Sequence, residues 1–230
     1  MIAPEAGARP RVAVARVAWS PLAAEELSDL PWEGIDALSL VRSEDGSPAA
    51  RATRVRLAAG ATALFVRFDC RDPEARASLT ARDAPLWQED AVEVFLAPGV
   101  ADPETYFEIE VNPLGALFDA RVANPGGDRS ALAVDTEWNW PGILWRSGRL
   151  AAREDWWAAI ALPWSGLGLA APPRSLRANF YRIDRLASAA RNATDHQTDE
   201  ECEFSAWSPT FFRPPDFHRP KFFGHLTLAW

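Results

Sequence analysis

Sulfur chemistry is nearly absent from this chain. Its two cysteines, Cys70 and Cys202, stand far apart, and its single methionine is Met1. Neither cysteine belongs to the paired spacing of a zinc site. A disulfide between them needs Cα atoms within about 7 Å, and from the sequence that pairing stays open. Three histidines, His196, His218 and His225, show no metal-ligand spacing, which argues against a metal hydrolase. No apolar run approaches the ~20 residues that span a bilayer as a helix. The N-terminal stretch MIAPEAGARPRVAVARVAW has no basic start followed by a long apolar segment, so no secretory leader is expected there. On that ground the chain reads as cytoplasmic, or as a form whose leader has been removed. An excess of positive charge is also missing. The net charge is −8, with both signs mixed along the chain, which argues against nucleic acid or an anionic membrane as the main partner. WSGLG at Trp164–Gly168 lacks the pattern of a serine nucleophile elbow. No fixed-period repeat and no linker divides the sequence, so residues 1–230 read as one domain, a length that all-β folds often reach.

What the chain has is tryptophan, 11 against 2 tyrosines. Some must be core. Others are candidates for a flat recognition surface, because clustered exposed tryptophans need a reason. It also has alternation. Arg11–Trp19 alternates like an edge strand. Ala52–Leu57 and Ala63–Asp69 flank Ala59-Gly60-Ala61 as a hairpin. Tyr106–Asn112 (YFEIEVN) sets Phe107, Ile109 and Val111 against Glu108, Glu110 and Asn112, and Pro113-Leu114-Gly115 turns the chain back into Ala116–Val122. Arg149–Ala152 and Trp156–Leu162 read as another hairpin pair, Leu176–Asp184 as extended, and Phe222–Leu228 as a closing strand. Leu22–Leu30 suits one or two helical turns after Ser20-Pro21. The region Trp138–Trp145 reads as irregular, and Ala187–Glu200 as a polar loop. Roughly ten strands between Gly, Pro, Asn and Asp turns predict an all-β, antiparallel β-sandwich with helix confined to short turns.

The stretch Leu86–Leu96, LWQEDAVEVFL, organises the rest. Trp87 opens it, acids follow, and then a strand begins in which Val92, Val94 and Leu96 share one face while Ala91, Glu93 and Phe95 share the other. A lone strand carboxylate beside aromatics has two readings. It is a solvated Glu on a half-exposed strand, or it is a hydrogen-bond acceptor beside a stacking platform, as a sugar would require.

Five stretches together resemble the family 9 carbohydrate-binding modules, within the DOMON-like group of sandwiches of jelly-roll or immunoglobulin-like build. They are LFVRFDCRDP (Leu64–Pro73), LWQEDAVEVFL, the strands YFEIEVNPLG and NFYRID (Asn179–Asp184), and the closing FHRPKFFGHLTL (Phe217–Leu228). The resemblance spans most of the chain from about residue 50. It implies a non-catalytic domain whose partner is a carbohydrate, gripped between two aromatic faces with polar strand residues on its hydroxyls. Position by position, it places the first clamp at Trp87, the strand carboxylate at Glu93 and the second clamp at Phe217, where the modules carry tryptophan. Glu110 stands where they place a basic residue, and Tyr181 or Arg182 where they place an amide. The resemblance thus implies that Glu110 and Arg182 exchange charge roles and form a buried pair across the site. It also implies that structural calcium is one use for the loop acids Asp69, Asp72, Glu89 and Asp90, beside the plain alternative of solvated acids.

Other functions fit less well. Glu93, Glu108 and Glu110 could supply the acid and base of a glycoside-processing enzyme, but no motif sets them as a pair. Haem held by Met and His, known among DOMON-like proteins, has only Met1 to draw on, leaving a His196–His218 pair as the sole alternative. The competing class is a structural or protein-binding sandwich with a decayed sugar site. Trp138, Trp140 and Trp145 would suit such an interface, and their spacing suits the bottom of a core equally well.

Overall fold

The computed structural model describes residues 9–150, 155–186 and 202–229. Among these there is no α-helix, only strands and short 3-10 turns. The Leu22–Leu30 segment holds one such turn, Ala24–Ser28, which buries Leu27.

Two sheets face each other. The front sheet runs β14 (Gly224–Leu228), β12 (Ser175–Arg185), β6 (Ala91–Pro98), β7 (Thr105–Val111), β8 (Leu117–Ala123) and β9 (Ala133–Asp135). β13 (Cys202–Ala206) pairs with the far half of β12 and with the short β3 (Val41–Arg42). The back sheet runs β10 (Leu144–Leu150), β11 (Asp155–Pro163), β5 (Ala63–Cys70) and β4 (Thr53–Ala59), with β2 (Ala37–Ser39) on the edge of β4. The first strand, β1 (Arg11–Arg16), joins the sheets. Residues 11–14 pair with β14 and residues 15–16 with β4, both in parallel. The antiparallel expectation therefore holds for the hairpins and fails at this one strand. Alternation within RVAVAR reports a two-faced strand but carries no information about its partners. The aromatic region around Trp138 also yields more strand than its composition suggests, since β10 starts at Leu144. Ala187–Glu200, His196 and the turn before Asp155 lie outside the described residues.

The period-2 pattern decides what each face meets. Val92, Val94 and Leu96 of β6, with Ile109 and Val111 of β7, point inward onto Leu57, Val66, Phe68 and Ile160 of the back sheet. Fully burying side chains of this size contributes roughly 1.5–3 kcal/mol each before entropy is charged. The opposite face of the front sheet is covered as well. Phe95, Tyr106, Tyr181, Phe217 and Phe223 form a second buried cluster there, built by the segment that leads into β14. Trp138, Trp140 and Phe107 pack ring against ring, with centroids 4.7–5.7 Å apart, and Trp145 packs on the same core. These tryptophans close the core rather than form a free interface. Cys70 and Cys202 form no disulfide, and burial pushes the Cys70 thiol up to about 12.

Candidate functional site

On the outer face of the front sheet lies a cleft of about 390 Å³. Its floor follows from strand register. Glu93 of β6 stands opposite Glu110 of β7, and Phe95 opposite Glu108. Because side chains alternate, all four project to the same side. Tyr181 of β12 pairs with Glu93 on the other flank and shares that side. Glu93 and Glu108 reach the cleft wall, while Glu110 is completely buried beneath it. The three carboxylates offer oxygens that all lie within 4.8 Å of one another.

Aromatics rim the floor. Trp87 sits in the 3-10 turn Leu86–Gln88 just before β6. It is 44% exposed and rests edge-on against Phe118 of β8, with centroids 5.3 Å apart. From the other side Phe217 enters the same cleft. Its ring lies flat on Tyr181, at 4.0 Å and 14°, and the Tyr181 hydroxyl donates to the Phe217 carbonyl at 3.1 Å. Phe204 of β13 abuts Phe217 edge-on and also lines the cleft. The neighbouring His218 shares a 2.7 Å hydrogen bond with the Tyr106 hydroxyl. Burial holds this imidazole down at about 4, so it is neutral at pH 7. Arg129 and Asp216 meet on the rim at 3.2 Å.

The electrostatics of the floor are one-sided. Among the described residues no cation and no backbone N–H donates to Glu110, and both of its oxygens lack a hydrogen-bond partner. Burial raises the pKa of Glu93, and the Glu108 charge adds to this. Burial raises Glu110 as well, reinforced by Glu93 and Glu108. Glu108 is pushed up to about 7 by burial, opposed by its contact with Glu110 and by Arg129.

The predicted Glu110–Arg182 pair does not form. Arg182 pairs with Val92 in register, so it projects from the face opposite to Glu93 and Glu110. There it donates to Asp72 at 2.9 Å, to the Thr53 hydroxyl at 3.1 Å and to the Arg71 carbonyl at 3.1 Å. Shifting a strand by one residue moves every side chain to the other face, and of Tyr181 and Arg182 it is the tyrosine that faces the cleft.

The loop acids also sort differently. Asp69 is engaged by Arg56 and by Arg67 at 2.9 Å. Glu89 accepts the backbone N–H groups of Ser78 at 2.8 Å and Leu79 at 3.0 Å. Asp72 and Asp90 instead gather with Asp184, oxygens within 4.8 Å and all buried. Oxygen donors of this kind suit a hard dication. Here the guanidiniums of Arg51 and Arg182 already lie 2.8–3.2 Å from Asp72 and Asp184, and Asp90 accepts backbone N–H groups of Arg76 and Arg185. An ion bound there would share its ligands with two arginines.

Sequence reasoning underrated Glu108, Tyr181 and His218. The alternation of YFEIEVN already put Glu108 beside Glu110, whereas nothing local ties Tyr181 or His218 to the cleft.

Similarity to known proteins follows the same lines. The family model for carbohydrate-binding family 9 matches residues 26–228. An extracellular protein of Arthroderma benhamiae is 26% identical over 189 residues, covering 77% of this chain and 78% of that protein. A Bacteroides uniformis structure, assigned to carbohydrate binding, superposes with a TM-score of 0.74 at 19% identity, over 96% of this chain and 100% of that one. A family 9 module of Caldicellulosiruptor kristjanssonii, solved with cellotriose and with glucose, gives a TM-score of 0.59 at 14% identity in both forms, over 96% of this chain and 94–96% of those. At such identities the structural matches speak for the β-sandwich fold, while the family model spans nearly the whole chain. The chain therefore belongs to carbohydrate-binding family 9.

Proposed function

We propose that the front-sheet cleft binds carbohydrate without transforming it, with a sugar ring or chain end against Trp87 and Phe217 and its hydroxyls on Glu93 and Glu108. The observation that carries this reading is Trp87, a large aromatic left 44% exposed at the mouth of a cleft whose other wall is Phe217 and whose floor is carboxylate. Sugar rings have apolar C–H faces that gain from an aromatic plane, and hydroxyls that must keep partners when they leave water. The acids supply acceptors, and the rim guanidinium of Arg129 supplies donors. Family membership supports the same ligand class, as do the cellotriose and glucose of the related module. Membership of a carbohydrate-binding family also supports binding without catalysis.

The test is a calorimetric screen of mono- and oligosaccharides on the parent chain and on Trp87→Ala. Affinities of about −8 to −4 kcal/mol, micromolar to millimolar, are expected for so small a site. Loss of about two- to tenfold or more in Trp87→Ala supports the assignment, since aromatic faces contribute about 0.5–1.5 kcal/mol beyond area burial. Undiminished binding in the variant would show that Trp87 is not the platform.

A further inference from the structure

We propose that Glu93, Glu108 and Glu110 hold a divalent cation on the floor of the cleft, with the open side of its coordination shell turned toward the ligand. The cleft's identity as a sugar site is taken from the reading above, but the ion site stands on its own geometry.

Three observations support it. First, the three carboxylates present oxygens within 4.8 Å of one another. Oxygens bound to one calcium ion at about 2.3–2.6 Å can lie no further than about 5 Å apart, so one ion can touch all three. Second, Glu110 is fully buried and both its oxygens are without a partner. A buried carboxylate left so is costly to desolvate, and proteins pair such groups or place them on metals. The other acid cluster differs here, for Arg51 and Arg182 already sit on Asp72 and Asp184. Third, the three come from adjacent positions on β6 and β7, so the sheet itself fixes their spacing. All three approach from the sheet side, and a dication of the calcium class takes six to eight oxygens. The remaining positions face the cleft wall formed by Glu93 and Glu108, where water or a pair of sugar hydroxyls would complete the shell. A cationic sugar is a poorer match. Its ammonium group would meet Glu93 and Glu108 at the wall but leave Glu110 beneath them unpaired.

The test uses the full chain stripped with chelator. Calcium chloride is titrated calorimetrically into the parent, Glu110→Gln, Glu108→Gln and Asp184→Asn, each checked by circular dichroism for intact fold. Glu110→Gln removes an uncompensated charge and should fold at least as well as the ion-free parent; Glu108→Gln, at the wall, serves if it does not. Expected are a parent site that is lost, or at least about tenfold weaker, in both glutamine variants and kept in Asp184→Asn. Calcium binding that is equal in parent, Glu110→Gln and Glu108→Gln, or no calcium binding by the parent up to millimolar concentration, overturns the proposal. A parallel saccharide titration in chelator and in calcium separates the two readings. Calcium bound at the glutamates with no saccharide bound leaves the ion site standing without the sugar. Saccharide binding that is identical in chelator, with no calcium bound, leaves the sugar site standing without the ion.

Discussion

Glu93 and Glu110 stand directly opposite each other on adjacent antiparallel strands, both buried, with no cation among the described residues donating to Glu110. Like charges placed opposite one another destabilise a sheet, and here the effect is strengthened by burial and by Glu108 beside them. The arrangement opposes stability. The two consequences that follow are a pH dependence and an affinity for positive charge.

The pH dependence has a definite sign. These glutamates titrate above the ordinary 4.5 in the folded state, Glu108 at about 7. Between those values the folded chain holds more protons than the unfolded one, so stability falls as pH rises from about 4.5 through 7. In chelator, urea midpoints of the parent should drop over this range. Glu110→Gln should flatten the drop and become more stable than the parent at pH 8, by about 1–3 kcal/mol. A variant and parent that stay parallel from pH 5 to pH 8 would show that the trio carries no such strain.

Arg182 serves the opposite face. Its guanidinium is shared by Asp72 and Asp184, all nearly fully buried. Arg182→Ala should cost about 3–5 kcal/mol, because it leaves buried acids with one partner fewer. Urea denaturation measures this, and an unchanged midpoint would mean that the network is not structural. Saccharide affinity of whatever variant remains folded should be near that of the parent.

The two cleft aromatics should separate in their effects. Trp87 is 44% exposed and its ring meets Phe118 edge-on, so Trp87→Ala should alter the melting temperature only slightly. Phe217 is stacked on Tyr181 and packed by Phe204, so Phe217→Ala should cost about 3 kcal/mol or more as well as binding. Equal stability losses in the two variants would refute this division.

Gly224 opens β14 where the ring of Trp207 crosses the backbone, and a Cβ there would overlap that ring. Gly224→Ala should therefore destabilise by about 1–3 kcal/mol through overpacking, read as a shift in thermal midpoint. A neutral result would mean that Trp207 has room to move.

Much of this was set by the sequence alone. Period-2 alternation and turn residues give the hairpins and the all-β class, because a strand exposes its two faces to different surroundings residue by residue. LWQEDAVEVFL places Trp87 next to a strand carboxylate, and YFEIEVN places Glu108 and Glu110 on one face, by residue order alone. The tertiary structure decided what local pattern cannot carry. It alone set the partners of β1, parallel on both flanks, since alternation is blind to strand direction. It also decided which of Tyr181 and Arg182 faces the cleft, because NFYRID is buried on both sides and so lacks the polar-apolar contrast that fixes register. Phe217 and His218 reach the cleft only through the path of the chain before β14, and the meeting of Asp72 and Asp90 with Asp184 depends on packing between elements distant in sequence. Electrostatic partners are chosen by such long-range contacts, which is why the residue types of the site were legible and its charge balance was not.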